Sequence, residues 1–271
     1  MTDGTDLQAR HNERRKKRIK EQKRRRIIFF STLALIAVLV IMFLTPMFNI
    51  KNVNITVIKA ETVADAAENT HISKEMVREA LGKVEGKNLF SYSKKGIKKK
   101  LSQIAYVENI AVKKKAFPPT LTIEITECVP AFLVAYEDGY VMMDKTGKVL
   151  EKTQELPQNE KVPLAEGISV ATANIGETVE FKDVESQKII LSCIENMQKA
   201  GIIDDITVMS FEDMTNITFN YQERLDVICG THIDFQRKLA LFKEAVNSAK
   251  LTENSRGTIN LSTTGKAIYT P

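Results

Sequence analysis

Catalytic equipment is what this sequence has least of. Its 271 residues contain no tryptophan, three cysteines and three histidines. There is no Gly-rich phosphate loop, no G-x-S-x-G, no H-E-x-x-H, and no S-x-x-K followed by the partners of a lactamase-type site. Cys128, Cys193 and Cys229 are odd in number and lack C-x-x-C spacing, which argues against a metal site and against a disulfide framework. Buried free thiols are the expected state, with one disulfide between Cys193 and Cys229 as the alternative, since both lie in apolar segments of the same half. His11 falls in the N-terminal tail, while His71 and His232 have no acidic or thiol partner nearby in sequence and read as surface or turn residues. Chemistry on a cell-envelope polymer would need a nucleophile with a base, a metal cluster or a paired acid and base. None can be assembled, so the expectation is a binding or scaffolding protein with no catalytic residue, metal or cofactor.

Charge is missing in one place. Ile27 to Thr45 are nineteen consecutive uncharged residues, closed by Pro46. As a helix they would span roughly 28 Å, enough for a bilayer core. Residues 1–26 carry 11 Lys+Arg against 4 Asp+Glu, and residues 27–271 carry 28 against 30. The tail therefore sets the pI of about 8.9, and a nucleic-acid reading of the whole chain loses its basis. Basic residues resist translocation, so the tail is expected in the cytoplasm and the residues after Pro46 outside, in a single-pass type II arrangement. A cleavable signal fits poorly: the basic region is long, the apolar run exceeds a signal core, and Leu44 to Phe48 offers no small-residue cleavage site.

Beyond Pro46, Ile50, Val53, Ile55 and Val57 mark a strand. Residues 59–72 read as a loop or partial helix. Ser73 can cap a helix to about Lys83 with Met76, Val77, Ala80 and Leu81 on one face. Ser93 can cap a second, with Ile97, Leu101 and Ile104 inward and Lys94, Lys95, Lys98, Lys99 and Lys100 outward. Those lysines are either a solvated face or an attraction for an anionic headgroup or acidic partner. Strands follow at Tyr106–Ala116 and Thr120–Thr126 around the turn Phe117-Pro118-Pro119. A hairpin is expected at Ala131–Tyr136 and Tyr140–Met143, then loop-rich residues 151–182, and a helix capped by Ser186 and ended by Gly201. Strands Ile206–Phe211, Ile217–Tyr221 and Leu225–Cys229, a helix over 233–250 and terminal strands at Thr258–Leu261 and 266–270 complete an α+β external part.

Several of these residues resemble a known family. The order strand, helix, helix, strand, strand contains Phe48-x-Ile50-x-x-Val53-x-Ile55, Gly86-x-Asn88-Leu89-Phe90 and Pro118-Pro119-Thr120-Leu121-x-Ile123-x-Ile125-x-Glu127-x-x-Pro130. It resembles the POTRA domain of the FtsQ/DivIB cell-division proteins. Asp144-Lys145-x-Gly147-x-Val149, Leu156-Pro157, Pro163-Leu164-x-x-Gly167, Val227-x-x-Gly230 and Gly257-x-Ile259-Asn260-Leu261 extend the resemblance towards the C-terminus. Two positions depart from it: Cys128 stands where an Arg is frequent, and Asn260-Leu261-Ser262 replaces an Asp-Leu-Arg type run.

The resemblance divides the chain into a basic cytoplasmic tail (1–26), a transmembrane helix (27–46), a POTRA domain (47–128), an extracytoplasmic β domain (129–253) and a C-terminal strand and tail (254–271). It implies a divisome protein at the septal membrane. Its partners would be the small coiled-coil proteins of the FtsB/DivIC and FtsL type and, through them, the septal peptidoglycan synthase complex; no nucleic acid is expected. Strand addition to an exposed sheet edge is the expected binding mode, with Ile259, Leu261, Ser262, Thr263, Ala267, Ile268 and Tyr269 as contact residues. Deleting residues 257–271 is then expected to abolish binding while leaving the fold intact. An anchored sensor or cell-wall enzyme would instead show a pocket of convergent ionisable groups. A POTRA-bearing secretion component would show tandem units or a barrel.

Overall fold

The computed structural model describes residues 21–38, 40–41, 45–59, 71–157, 161–248, 251–263 and 265–271. Residues 1–20 of the basic tail, His11 among them, and most of the 59–72 loop lie outside the described residues. Residues 21–38 are helical and exposed throughout. Among the described residues no helix is long and apolar enough to cross a membrane. Residues 39 and 42–44 of the expected span are not among those described.

From Thr45 onward the described residues fall into two compact units, one drawn from residues 45–54, 83–97 and 112–123, the other from the described parts of 55–82, 98–111 and 124–271. A short 3-10 turn, Pro46–Phe48, leads into β1 (Asn52–Lys59). Then come α1 (Lys74–Leu81), α2 (Lys94–Leu101), β2 (Val107–Lys115) and β3 (Thr120–Glu127), with strand order β1-β3-β2 in a three-stranded sheet. Ser73 caps α1 by accepting from the Met76 N–H at 3.1 Å, and Ser93 Oγ accepts from Gly96 N–H at 2.8 Å. Val77 and Leu81 of α1 are buried, as are Ile97 and Leu101 of α2, whereas Met76, expected inward, is exposed. In β3 the alternating Leu121, Ile123 and Ile125 are fully buried, as a period of two demands of a covered sheet face.

The second unit also carries a nine-stranded sheet of order β14-β13-β12-β11-β10-β7-β4-β5-β6. Its strands are β4 (Phe132–Tyr136), β5 (Gly139–Met143), β6 (Val149–Thr153), β7 (Leu164–Glu166), β10 (Ile206–Ser210), β11 (Ile217–Tyr221), β12 (Leu225–Gly230), β13 (Gly257–Asn260) and β14 (Ile268–Thr270). β8 (Val170–Thr172) and β9 (Glu180–Phe181) pair separately. The β4–β5 hairpin pairs Tyr136 with Gly139 across Glu137 and Asp138. β7, three residues long, runs parallel to both β10 and β4 and so joins the two halves of the sheet.

Two helices, α3 (Val184–Lys199) and α4 (Phe235–Val246), pack together and share one core with the sheet. α3 contributes Ile190, Cys193, Ile194 and Met197, and α4 contributes Phe235, Leu239 and Phe242. Phe242 makes edge contacts to Phe219 and Tyr221 at 5.3 and 5.0 Å between centroids. Asp183 caps α3, accepting from the Glu185 N–H at 3.0 Å, in place of the expected Ser186. Ser186 lies inside the helix and donates its hydroxyl to Asp183.

The Asp144 to Val149 motif is a tight turn built around one buried carboxylate. Asp144 Oδ1 accepts from Thr146 N, Thr146 Oγ1 and Lys148 N at 2.8, 2.7 and 3.0 Å. Gly147 sits at φ +79°, and a Cβ there would meet Leu191 and Val179 at 3.1–3.3 Å, so both conformation and space favour glycine.

Candidate partner-binding edge

Of the two ends of the nine-stranded sheet, one is partly covered by its own chain. Val149 of β6 donates to Glu177 O at 2.8 Å and accepts from Gly176 N at 2.8 Å, and Lys148 bridges to Thr178. At the other end lies β14, with no strand beyond it among the described residues. It pairs antiparallel with β13 as Thr258↔Thr270, Ile259↔Tyr269 and Asn260↔Ile268, while β13 runs parallel to β12. All three β14 residues are exposed, Ile268 at 47% and Tyr269 at 37%. The Tyr269 hydroxyl donates to Arg256 O at 2.6 Å, which ties the edge to the residue entering β13.

Close packing sets that entry. Gly257 has φ +140°, and a Cβ there would fall 2.2 Å from Thr270 O, a distance no side chain tolerates. Asn260 turns the chain out of β13: its Oδ1 accepts from the Ser262 N–H at 2.9 Å and from Ser262 Oγ at 2.7 Å. Leu261 is fixed by its own N–H to Ile228 O at 2.7 Å.

The residues expected at the contact therefore separate by depth. Ile259 and Leu261 are 0% and 1% exposed, so their side chains belong to the core. This corrects their expected role: the period of two that suggested a binding strand is the signature of a covered one. Ala267 is half-buried against the same core, while Ser262 and Thr263 lie exposed in the turn after β13. Ile268 and Tyr269 alone of the seven stand exposed on the edge strand. Thr270, which falls within the expected strand 266–270 but outside the seven, joins them.

Other residues resolve differently from the sequence reading. His71 is not isolated: its Nδ1 lies 2.9 Å and its backbone N 2.6 Å from Glu127 Oε1, and its ring stacks on Tyr106 at 4.2 Å. The Tyr106 hydroxyl in turn donates to Glu151 Oε2 at 3.0 Å. Glu127 is 1% exposed, and its Oε2 has no hydrogen-bond partner among the described residues. Sequence gives no sign of this cluster, because 56 residues separate the pair. His232 is exposed, as expected. All three cysteines are free and buried, so the alternative disulfide is not formed. Burial pushes each thiol up to about 12. Among the described residues no group of three His, Cys, Asp or Glu is placed to hold a metal.

A groove of about 660 Å³ beside the interior strands β4, β7 and β10 is lined by Leu133, Leu156, Leu164 and Val208 together with Asp204 and Asp205. Asp205 Oδ2 accepts from the Tyr221 hydroxyl at 3.0 Å and Asp205 O accepts from Gln222 N at 2.7 Å. That carboxylate is thus engaged in holding the β11–β12 turn.

Comparison with known proteins agrees with the arrangement of the chain. The FtsQ-type POTRA domain matches residues 48–127. The chain is 26% identical to the cell division protein DivIB of Clostridium tetani over 250 residues, covering 88% of this chain and 85% of that protein. It is 29% identical to the cell division protein FtsQ of Corynebacterium glutamicum over 115 residues, covering 42% of this chain and 46% of that one. The solved major extracytoplasmic domain of DivIB from Geobacillus stearothermophilus aligns at a TM-score of 0.30 and 14% identity, over 46% of this chain and 95% of that one, a likeness too low to carry an argument. With an FtsQ-type POTRA domain at residues 48–127 and relatives matched along most of its length, the chain is similar to the FtsQ/DivIB cell-division proteins.

Proposed function

We propose that this chain is a non-enzymatic, single-pass membrane scaffold of the division septum that captures a partner strand on the free edge of β14. The observation that carries the reading is that edge: three consecutive exposed residues, two of them large and apolar, on a strand whose inner side is fully paired. An extended segment laid along it would satisfy the outward backbone groups and cover Ile268 and Tyr269. Partners of the FtsB/DivIC and FtsL type would supply such a segment in this proposal. Through them the assembly would regulate the septal peptidoglycan synthase complex. The uncharged run 27–45 would cross the membrane with the basic tail inside. The POTRA domain, residues 47–128, would assist recruitment, while the β domain, 129–253, and the terminal residues 254–271 would carry the edge.

Core burial of Ile259 and Leu261 changes the test. Removing residues 257–271 would strip the core as well as the edge, so lost binding would prove nothing about the edge. Removing residues 268–271 takes away β14 alone. Co-purification of the coiled-coil partners with the full chain is expected to be lost in this shorter truncation, with the unfolding midpoint little changed. Undiminished co-purification would sink the assignment.

A further inference from the structure

The first unit holds a surface that edge pairing does not use. Phe48, 3% exposed, sits between two exposed rings contributed by different loops. Its centroid lies 5.3 Å from that of Phe90, 46% exposed, and 5.5 Å from that of Phe117, 61% exposed. Met47, also exposed, adjoins it in sequence. The three segments are locked by backbone bonds: Leu89 N to Phe48 O at 2.9 Å, Ile50 N to Lys87 O at 2.9 Å and Lys51 N to Pro119 O at 3.0 Å. An apolar cluster is therefore held exposed by a rigid frame.

The charge around it has one sign. Residues 45–54, 83–97 and 112–123 contain eight lysines and a single acid, Glu85. Lys87, Lys113 and Lys115 are exposed. Exposed phenylalanine and methionine on segments whose charge is almost all lysine is the chemistry of a surface that enters the headgroup region of an anionic bilayer: the rings reach the acyl boundary and the ammonium groups meet phosphate. An anionic wall polymer would account for the lysines and leave the rings without a role. The surface also begins just after Thr45, where the candidate span is closed by Pro46.

We propose that Met47, Phe90 and Phe117, with Lys87, Lys113 and Lys115, dock this unit onto the anionic phospholipid surface of the membrane that holds the chain. The proposal rests on the anchored reading for which membrane is met. Docking would hold the domain down at the bilayer instead of letting it swing on its anchor.

Absence of tryptophan makes the test direct. Phe117→Trp, and independently Phe90→Trp, place a single reporter on either ring of the full-length chain. Phe30→Trp places one inside the candidate span. Each is reconstituted into vesicles of phosphatidylcholine alone and of phosphatidylcholine with phosphatidylglycerol, with acyl chains brominated near the headgroup or near the bilayer centre. The expected result is a blue-shifted reporter at 117 or 90, quenched by the shallow bromines in the anionic vesicles and much less in the neutral ones. Each Lys→Gln change at 87, 113 or 115 should weaken docking by about fivefold, as should raised salt in proportion. Quenching at position 30 with solvent-like emission at both 117 and 90 overturns the docking and leaves the anchor standing. Quenching at 117 or 90 without quenching at 30 supports docking and fails the anchor. No quenching at any position overturns both. A reporter indifferent to lipid but shifted by soluble teichoic acid assigns the surface to a polymer and overturns the proposal.

Discussion

Glu127 is a carboxylate with one oxygen doubly engaged by His71 and the other unmatched, at 1% exposure. Its side-chain partner is the imidazole that also stacks on Tyr106, so one substitution removes both contacts. His71→Ala, which keeps the backbone N–H to Oε1 but removes the ring's bond and stack, is expected to destabilise the fold by about 1 kcal/mol, as read from urea unfolding. Glu127→Leu, which removes the carboxylate, should rescue part of that loss in the double variant; a strictly additive pair would show that the two residues do not act together. Titration at the opposite end of the pH scale follows from the thiols. Cys193 and Cys229 are pushed up to about 12 by burial, as is Tyr221, by burial first and then by its bond to Asp205. These groups bind their protons more tightly folded than unfolded, so their contribution is complete below the ordinary thiol value near 9 and is lost as pH rises towards 12. Unfolding midpoints should therefore fall steadily above pH 9, and Cys193→Ala with Cys229→Ala should flatten that fall. Alkylation of all three cysteines should be slow at neutral pH until denaturant is added.

Local signals carried furthest at the level of the element. Ser73 and Ser93 cap helices where a hydroxyl precedes an apolar stripe, and within the expected helix 233–250 Phe235, Leu239 and Phe242, spaced by four and three, face inward. Ser73→Ala should cost about 1 kcal/mol for that reason. Where two candidates compete, sequence alone picks badly: Asp183 and Ser186 are both good caps, and the carboxylate three residues earlier wins because its turn already binds Glu185 N. Sheet order is less legible still. Nothing local indicates that β7 lies parallel between β4 and β10, or that β13 pairs with β12 across the whole of α4, since such pairings are decided by what the core buries. The same gap explains the partner edge: alternation marked Ile259 and Leu261, but only the completed sheet reveals β14 as the outer strand. Gly257→Ala is a sharp check on that strand. Its Cβ would strike Thr270 O, so β14 should detach, seen as faster amide exchange at 268–270 and loss of partner co-purification, with β12 still protected.

Across the whole molecule the decisive property is the unequal distribution of charge, a net of +7 in residues 1–26 against −2 in the remainder. An uncharged run of nineteen residues has no direction of its own, since a helix of leucine and isoleucine is as stable in lipid either way round. Orientation then depends on the free energy of carrying the flanking charges across, which is large for the eleven basic residues before Ile27 and smaller for the few immediately after Pro46. Lys51 is the only cation among residues 46–54, so the contrast across the proposed span is steep. Function as proposed needs this sign, because edge strand and exposed aromatics both meet their partners only outside. Replacing Arg14, Arg15, Lys16, Lys17, Arg18, Arg24, Arg25 and Arg26 with glutamine should abolish the contrast without touching any residue of the two sheets. A C-terminal tag on the unaltered chain should be digested by protease added to spheroplasts; in the neutralised chain a substantial protected fraction should appear, in proportion to the number of charges removed. Full digestion in both would mean that the long external domain, and not the tail, sets the orientation.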